Sequence, residues 1–197
     1  MSAILDFYLR DKPSPAGTYH EILQDTDRFW EDCHGHVQWV FPLPEASKMQ
    51  PNSPVATQAD YNVIASSPIL KMRVLAALGR YIAFLDRTTQ WRREHDHNHL
   101  RITRVIRCLC FCGLNDAAFD FCEYAKHVAG GKAGKQTVWY WEEALKRHPA
   151  WLPKAHTEEP LTDEEDEPLT DEEEIASNSD RGMFLRQDLG LDDDAED

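Results

Sequence analysis

Between Ser67 and Arg87 the chain carries a pattern that admits one kind of element. Ile69, Met72, Leu75, Leu78, Ile82 and Leu85 recur at spacings of three and four, the repeat of a helix with one buried side rather than the alternation of a strand. Ser67-Pro68 in front of it is a start signal. A serine hydroxyl accepts from the free amides of a first turn, and a proline fits where no backbone N–H is needed. The spacing predicts a long helix over residues 68 to about 87, and its buried side needs partners.

The neighbouring segments offer helices as those partners. Residues 97 to 112 put Leu100, Ile102, Val105, Ile106, Leu109 and Cys110 on a broad apolar face, and Gly113 is suited to end the last turn. Asn115 or Asp116 is placed to cap a helix carrying Ala118, Phe119, Cys122, Ala125 and Val128, which Gly130-Gly131 terminates. Thr137 then precedes Val138, Trp139, Trp141, Ala144 and Leu145, a short helix stopped by Pro149. Upstream, residues 19 to 33 hold Ile22, Leu23, Phe29, Trp30 and Cys33 at mixed helical spacing, and Thr57 is placed to cap a short helix through Ile64. Residues Val37 to Pro44 have a strand-like composition but no second strand to pair with, so they are expected to run from a helix end into an extended, aromatic, buried loop. The expected fold is all-α: a compact bundle of about five to seven helices over residues 1–152, with a proline-rich aromatic loop.

Charge marks where that bundle should end. Residues 158–197 hold 18 Asp and Glu against two Arg, which leaves residues 1–157 with a net charge of only +2. Within this stretch Glu159-Pro160-Leu161-Thr162-Asp163-Glu164-Glu165 recurs eight residues later from Glu167 to Glu173. Such a segment repels itself and buries too little apolar surface to offset its chain entropy, so residues 153–197 are expected to form a mostly disordered acidic tail. Thr162 and Thr170, each followed by carboxylates, suit an acid-directed kinase. No window approaches the roughly 18 uninterrupted apolar residues of a bilayer span, and the start of the chain lacks a secretion signal. Five cysteines, four of them within apolar runs (Cys108, Cys110, Cys112 and Cys122), read as reduced thiols packed as small hydrophobes. A reducing intracellular compartment, cytoplasm or nucleus, is the expectation.

Two phrases carry a resemblance. The first is Trp30-Glu31-Asp32-Cys33-His34-Gly35-His36-Val37-Gln38-Trp39-Val40-Phe41-Pro42-Leu43, and the second is His97-Asn98-His99-Leu100-Arg101-Ile102-Thr103-Arg104-Val105-Ile106. Together they resemble the conserved region of the opioid growth factor receptor family, with its H-x-Y-I-Q-W-L-F-P phrase followed by an H-N-x-L-R-I-T-R-I-L phrase. Trp139-Tyr140-Trp141 looks like the family's aromatic C-terminal element, so the resemblance spans residues 5 to 150 and stops short of the acidic tail. His36 stands where the family phrase has Tyr, Val37 and Val40 replace Ile and Leu, and residues 108–112 are richer in Cys. The resemblance implies a non-enzymatic binding or regulatory module with an unidentified protein or peptide partner, and no cofactor. Animal members are described as receptors for an enkephalin pentapeptide, associated with nucleus and membranes, so peripheral membrane association is implied by resemblance alone. On the matching positions, His34, Gln38, Trp39, His97, Asn98, Arg101, Thr103 and Arg104 form the candidate binding surface.

Two other chemistries compete for the same residues. His95, His97 and His99, with Asp96 between them and His34 and His36 elsewhere, are the most metal-like group in the chain and would serve a metal-dependent enzyme using His34. Alternating positions diverge on a helix, however, so packing and helix-start roles are the simpler reading. Arg101, Arg104 and Arg107, spaced by three, make a basic stripe that would hold phosphate, nucleic acid or the chain's own acidic tail. The nearly neutral body disfavours nucleic acid. Catalytic motifs are missing: Gly130-Gly131-Lys132-Ala133-Gly134-Lys135 lacks the spacing of a phosphate-binding loop and reads as a flexible basic turn, and no serine sits in a nucleophile elbow. Trp30, Trp39, Phe41, Trp139 and Trp141 are expected in the core or anchoring loops, with a peptide groove as the rival reading.

Overall fold

The computed structural model describes residues 1–146; the acidic tail 153–197, its two threonines and Pro149 lie outside them. The described chain is all-α. Nine α-helices follow in order: α1 (Ala3–Arg10), α2 (Tyr19–Gln24), α3 (Asp27–Asp32), α4 (His36–Val40), α5 (Gln58–Ser66), α6 (Pro68–Arg87), α7 (Asn98–Phe111), α8 (Asn115–Ala129) and α9 (Lys135–Lys146), with one 3₁₀ turn at Gln90–Arg92. The number exceeds the expected five to seven because the first forty residues are cut into four short helices. Thr18 and Thr26 each open one by accepting from the amide three residues on, at 3.2 Å, so the stretch of mixed helical spacing over 19–33 is two short helices.

Local chemistry sets the other boundaries. Thr57 and Asp60 exchange caps at the start of α5: the Asp60 amide donates to Thr57 Oγ1 at 3.2 Å and the Thr57 amide donates to Asp60 Oδ2 at 2.8 Å. Replacing Thr57 by valine keeps the shape and removes this reciprocal cap, and should cost about 1–2 kcal/mol, read as a lower urea midpoint with an unchanged slope. Ser67 caps α6 as the sequence implied, and Gly130 ends α8 in the left-handed conformation (φ 55°) that glycine adopts freely. One expected cap is absent: Leu114, not Asn115 or Asp116, precedes α8 without a side-chain bond. The last helix begins at Lys135, so Thr137 lies inside α9 rather than ahead of it.

Packing places α7 at the centre, against α8 and α9, while α6 packs against α5, α1 and α3. The buried side of α6 is Leu70, Val74, Ala77, Leu78, Tyr81, Ile82, Phe84 and Leu85. Ile69 and Met72, expected on that side, are exposed, as is Leu100 at the start of α7; Phe119 is half-exposed and Phe121 takes its place in the core. On α6 and α8 other apolar residues one or two positions away, Leu70, Val74 and Phe121, satisfy the same helical period, and the core takes those. Trp30, Phe41 and Trp141 are fully buried, Trp39 packs against the Phe7 ring at 5.6 Å, and Trp139 is half-exposed, so the aromatic set serves mainly as core. All five cysteines are free thiols, and Cys108 and Cys112 approach to 4.0 Å across one turn of α7. No helix among the described residues is long and apolar enough to cross a membrane.

Candidate functional site

The segment from α3 through α4 turns too sharply to pair its own carbonyls, and a buried carbonyl without a donor is costly. Donors arrive from elsewhere, one carbonyl at a time. Arg101, projecting from the first turn of α7, donates through Nη1 to the carbonyl of Trp30 at 2.5 Å and through Nη2 to those of Glu31 and Cys33 at 3.0 and 3.2 Å. His34 Nδ1 meets the Asp32 carbonyl at 2.7 Å, which makes that nitrogen the donor. The Gln38 amide satisfies its surroundings when its nitrogen faces the carbonyls of His34 and Gly35, at 2.7 and 3.2 Å. Beyond α4 the Tyr8 hydroxyl donates to the carbonyl of Val40, Arg104 Nη1 to Phe41 at 3.1 Å, and the Tyr61 hydroxyl to Pro42 at 2.9 Å.

The two sequence phrases are therefore two sides of one joint. A planar guanidinium with five donors suits Arg101, because its fork reaches three carbonyls at the C-terminal end of α3, where the helix dipole also favours positive charge. Burial lowers the Arg101 pKa, offset in part by the surrounding Tyr81 and Glu31. Asn98 completes the joint. Its Oδ1 accepts from Arg101 at 3.1 Å, and its Nδ2 donates to Glu31 Oε2 at 3.1 Å.

The basic stripe is thus not a solvated face. Arg101 and Arg104 are spent on backbone carbonyls, and Arg107 pairs with Glu45 and lies over the Phe111 ring at 5.5 Å. That corrects the expectation of a free surface for phosphate, nucleic acid or the tail. Spacing revealed that the three arginines share a side of α7, and carbonyls, which carry no sequence signal, decide what they meet.

The histidines separate in the same way. His99 is buried, with Nε2 at 2.6 Å from the Trp91 carbonyl and Nδ1 at 3.4 Å from Thr137 Oγ1, so it ties the 3₁₀ turn to α9. Thr103 donates back to the His99 carbonyl at 2.9 Å within α7, and Trp141 Nε1 donates to the same oxygen at 3.2 Å. His95 is exposed. The helix start is capped by Asp96, whose Oδ1 accepts from the Asn98 amide at 2.8 Å, rather than by His97. Among the described residues no group of three or more His, Cys, Asp or Glu side chains is placed to hold a metal ion, so His95, His97 and His99 do not form a centre.

What the joint does bring together at the surface is His34 and His97, one from each phrase. Their ring centroids are 5.6 Å apart and tilted by 39°, and Glu31 Oε1 lies 3.5 Å from His97 Nε2. One member of the first phrase behaves differently. His36 is fully buried against Trp30 and Phe29, at ring distances of 4.6 and 5.1 Å, and neither ring nitrogen has a partner in good hydrogen-bond geometry, the Cys33 backbone offering only a weak contact. Burial first, and then the neighbouring Arg101 charge, lowers its pKa to about 3. In the sequence His36 stands out as a departure from Tyr and as a histidine counted with the metal-like group, and neither feature marks it as buried among rings.

Comparison with known proteins agrees with this geometry. Residues 2–125 match the family model described as the opioid growth factor receptor conserved region, which takes in both phrases. A human protein named opioid growth factor receptor is 34% identical over 136 residues, covering 56% of this chain and 20% of the human one. The chain thus spans about a fifth of the length of that relative. No solved structure matches.

Proposed function

Because the chain belongs to the opioid growth factor receptor conserved-region family, we propose that it works as a binding or regulatory module, holding a peptide or protein partner without transforming it. The observation that carries this reading is the exposed His34–His97 pair with Glu31 beside it, mounted on a joint whose backbone is pinned by Arg101 and Asn98. Side chains that face solvent from a rigid support lose little freedom on binding, which is how a small polar patch gains affinity. Two imidazoles and a carboxylate provide donors, acceptors and flat faces, a set suited to a peptide backbone and an aromatic or cationic side chain. The human relative's name describes a receptor, and a receptor role for this chain is part of the same proposal. Five free thiols support a reducing compartment, cytoplasm or nucleus, as its place of work.

The test compares the full chain with a His34→Ala/His97→Ala double variant as bait, with retained proteins quantified. Both substitutions are at exposed positions outside the core, so circular dichroism should be unchanged and melting should fall only slightly, because the Asp32 carbonyl that loses its bond from His34 is open to water. At least one partner should be depleted tenfold or more with the double variant. Equal recovery of every partner by both baits would defeat the proposal.

A further inference from the structure

Of the cations in the described chain, most are spent: Arg73, Arg80, Arg101 and Arg104 reach carbonyls, and Arg10, Lys12, Arg87, Arg107, Lys126 and Lys146 pair with carboxylates. Six others have no ion pair among the described residues: Lys48 and Lys71 stand apart, and the remaining four fall on two adjoining segments. Arg92 and Arg93 lie at the end of the 3₁₀ turn, and Lys132 and Lys135 flank the turn that leads into α9. His99 holds the segments side by side by bonding Trp91 on one and Thr137 on the other, and a Cβ built on Gly134 would stand 3.3 Å from Cγ of Glu94. Arg93, Lys132 and Lys135 are exposed; the Arg92 guanidinium lies over the Trp91 ring at 5.9 Å, with its Nε lacking a hydrogen-bond partner. Glu94 is the carboxylate within this group. One turn along α9 from Lys135, the half-exposed Trp139 and Tyr140 rings contact each other at 5.0 Å.

We propose that this patch is the docking surface for the chain's own acidic segment, residues 158–174. Charge and composition both fit. The described residues carry 17 acidic and 17 basic side chains, whereas the segment presents carboxylates in two runs, each preceded by a leucine, Leu161 and Leu169. A leucine against the Trp139–Tyr140 pair with carboxylates over Lys132, Lys135 and Arg93 matches that order. Reach fits as well. The patch lies at the start of α9, about 18 Å from its end at the usual rise per residue. The eleven residues 147–157 span up to roughly 36 Å when extended, twice what is needed. Tethering supplies an effective concentration in the millimolar range, so weak, screened charge pairs suffice. The site differs from the arginine stripe suggested by spacing alone, because that stripe is occupied by the fold itself.

Carbodiimide coupling of the full chain, which joins carboxylates to lysine amines, tests this directly. Peptide mapping should find Lys132 and Lys135 joined to carboxylates of residues 158–174 at least fivefold more often than Lys48, an exposed lysine in the loop before α5. The yield should fall at least fivefold in 0.5 M salt and in Arg92→Glu/Arg93→Glu, which leaves both lysines in place. Equal coupling at Lys48, or yields indifferent to salt and to the charge reversal, would overturn the docking. So would coupling found mainly between chains when isotopically labelled and unlabelled proteins are mixed, because the occupant would then be a second copy.

Discussion

Replacing Arg101 by methionine should remove about 3–5 kcal/mol of stability. The methionine fills much of the same volume and takes away the fork that serves Trp30, Glu31 and Cys33, together with the bond it donates to Asn98 Oδ1. Each buried carbonyl left without a donor costs about 1–3 kcal/mol, and water entering at the partly buried side recovers some of that. For a domain whose whole stability is on the order of 5–15 kcal/mol, the loss should lower the melting temperature by about 10 °C or more. Arg101→Lys should recover little, because one ammonium on a flexible stem cannot span three carbonyls held by a helix end. The measurement is denaturant unfolding of wild type and both variants at pH 7. A change within about 0.5 kcal/mol for Arg101→Met would show that the α3 end is satisfied without α7, and the account of the joint would fail.

That joint also shows what a sequence discloses and what it withholds. The helical period around Ser67 gave the start and end of α6, because capping and periodicity are local properties of the side chains named. The same period left its register open: Ile69 and Met72 match it as well as Leu70 and Val74 do, and only tertiary packing chooses between the rows. The four short N-terminal helices were legible only in part, because helices of five to eight residues hold too little periodicity and draw their stability from contacts elsewhere. For the candidate site, both phrases and their residues were visible, His34 and His97 among them. The targets of Arg101 and Arg104 were not visible, because a backbone carbonyl looks the same at every position in a sequence. Repeated use of Arg, Gln, Tyr and His around one sharp turn is the signal that, in hindsight, marks carbonyls in need of donors.

Lowering the pH from 7 to 5 should cost the protein about 2 kcal/mol through His36 alone. In the folded chain burial and the Arg101 charge hold its pKa near 3, whereas the unfolded chain releases the ring to its ordinary 6.5. Between those values the unfolded state binds the extra proton, so this contribution is complete above about pH 6.5 and declines as the pH falls toward 3. At pH 4 the cost reaches about 3 kcal/mol by the same relation. The carboxylates with lowered pKa values, Asp6, Asp11, Glu21, Asp27 and Asp60, act in the same direction but lower on the scale, below their ordinary values near 4. The window from 5 to 7 therefore belongs to histidine. His36→Phe keeps a ring between Trp30 and Phe29 and removes the titration, so its unfolding free energy should change between pH 7 and pH 5 by about 2 kcal/mol less than wild type. Comparing the pH slope, rather than stability at one pH, separates loss of the proton from any strain the larger ring introduces. Parallel curves for the two proteins would mean that His36 reaches solvent or a partner in the folded state, and that the interior between α3, α4 and α7 is not sealed. If the curves diverge as expected, the joint that fixes the His34–His97 surface is also the part of the fold that acid loosens first, because His36 and Arg101 would then confine two positive charges in one buried space.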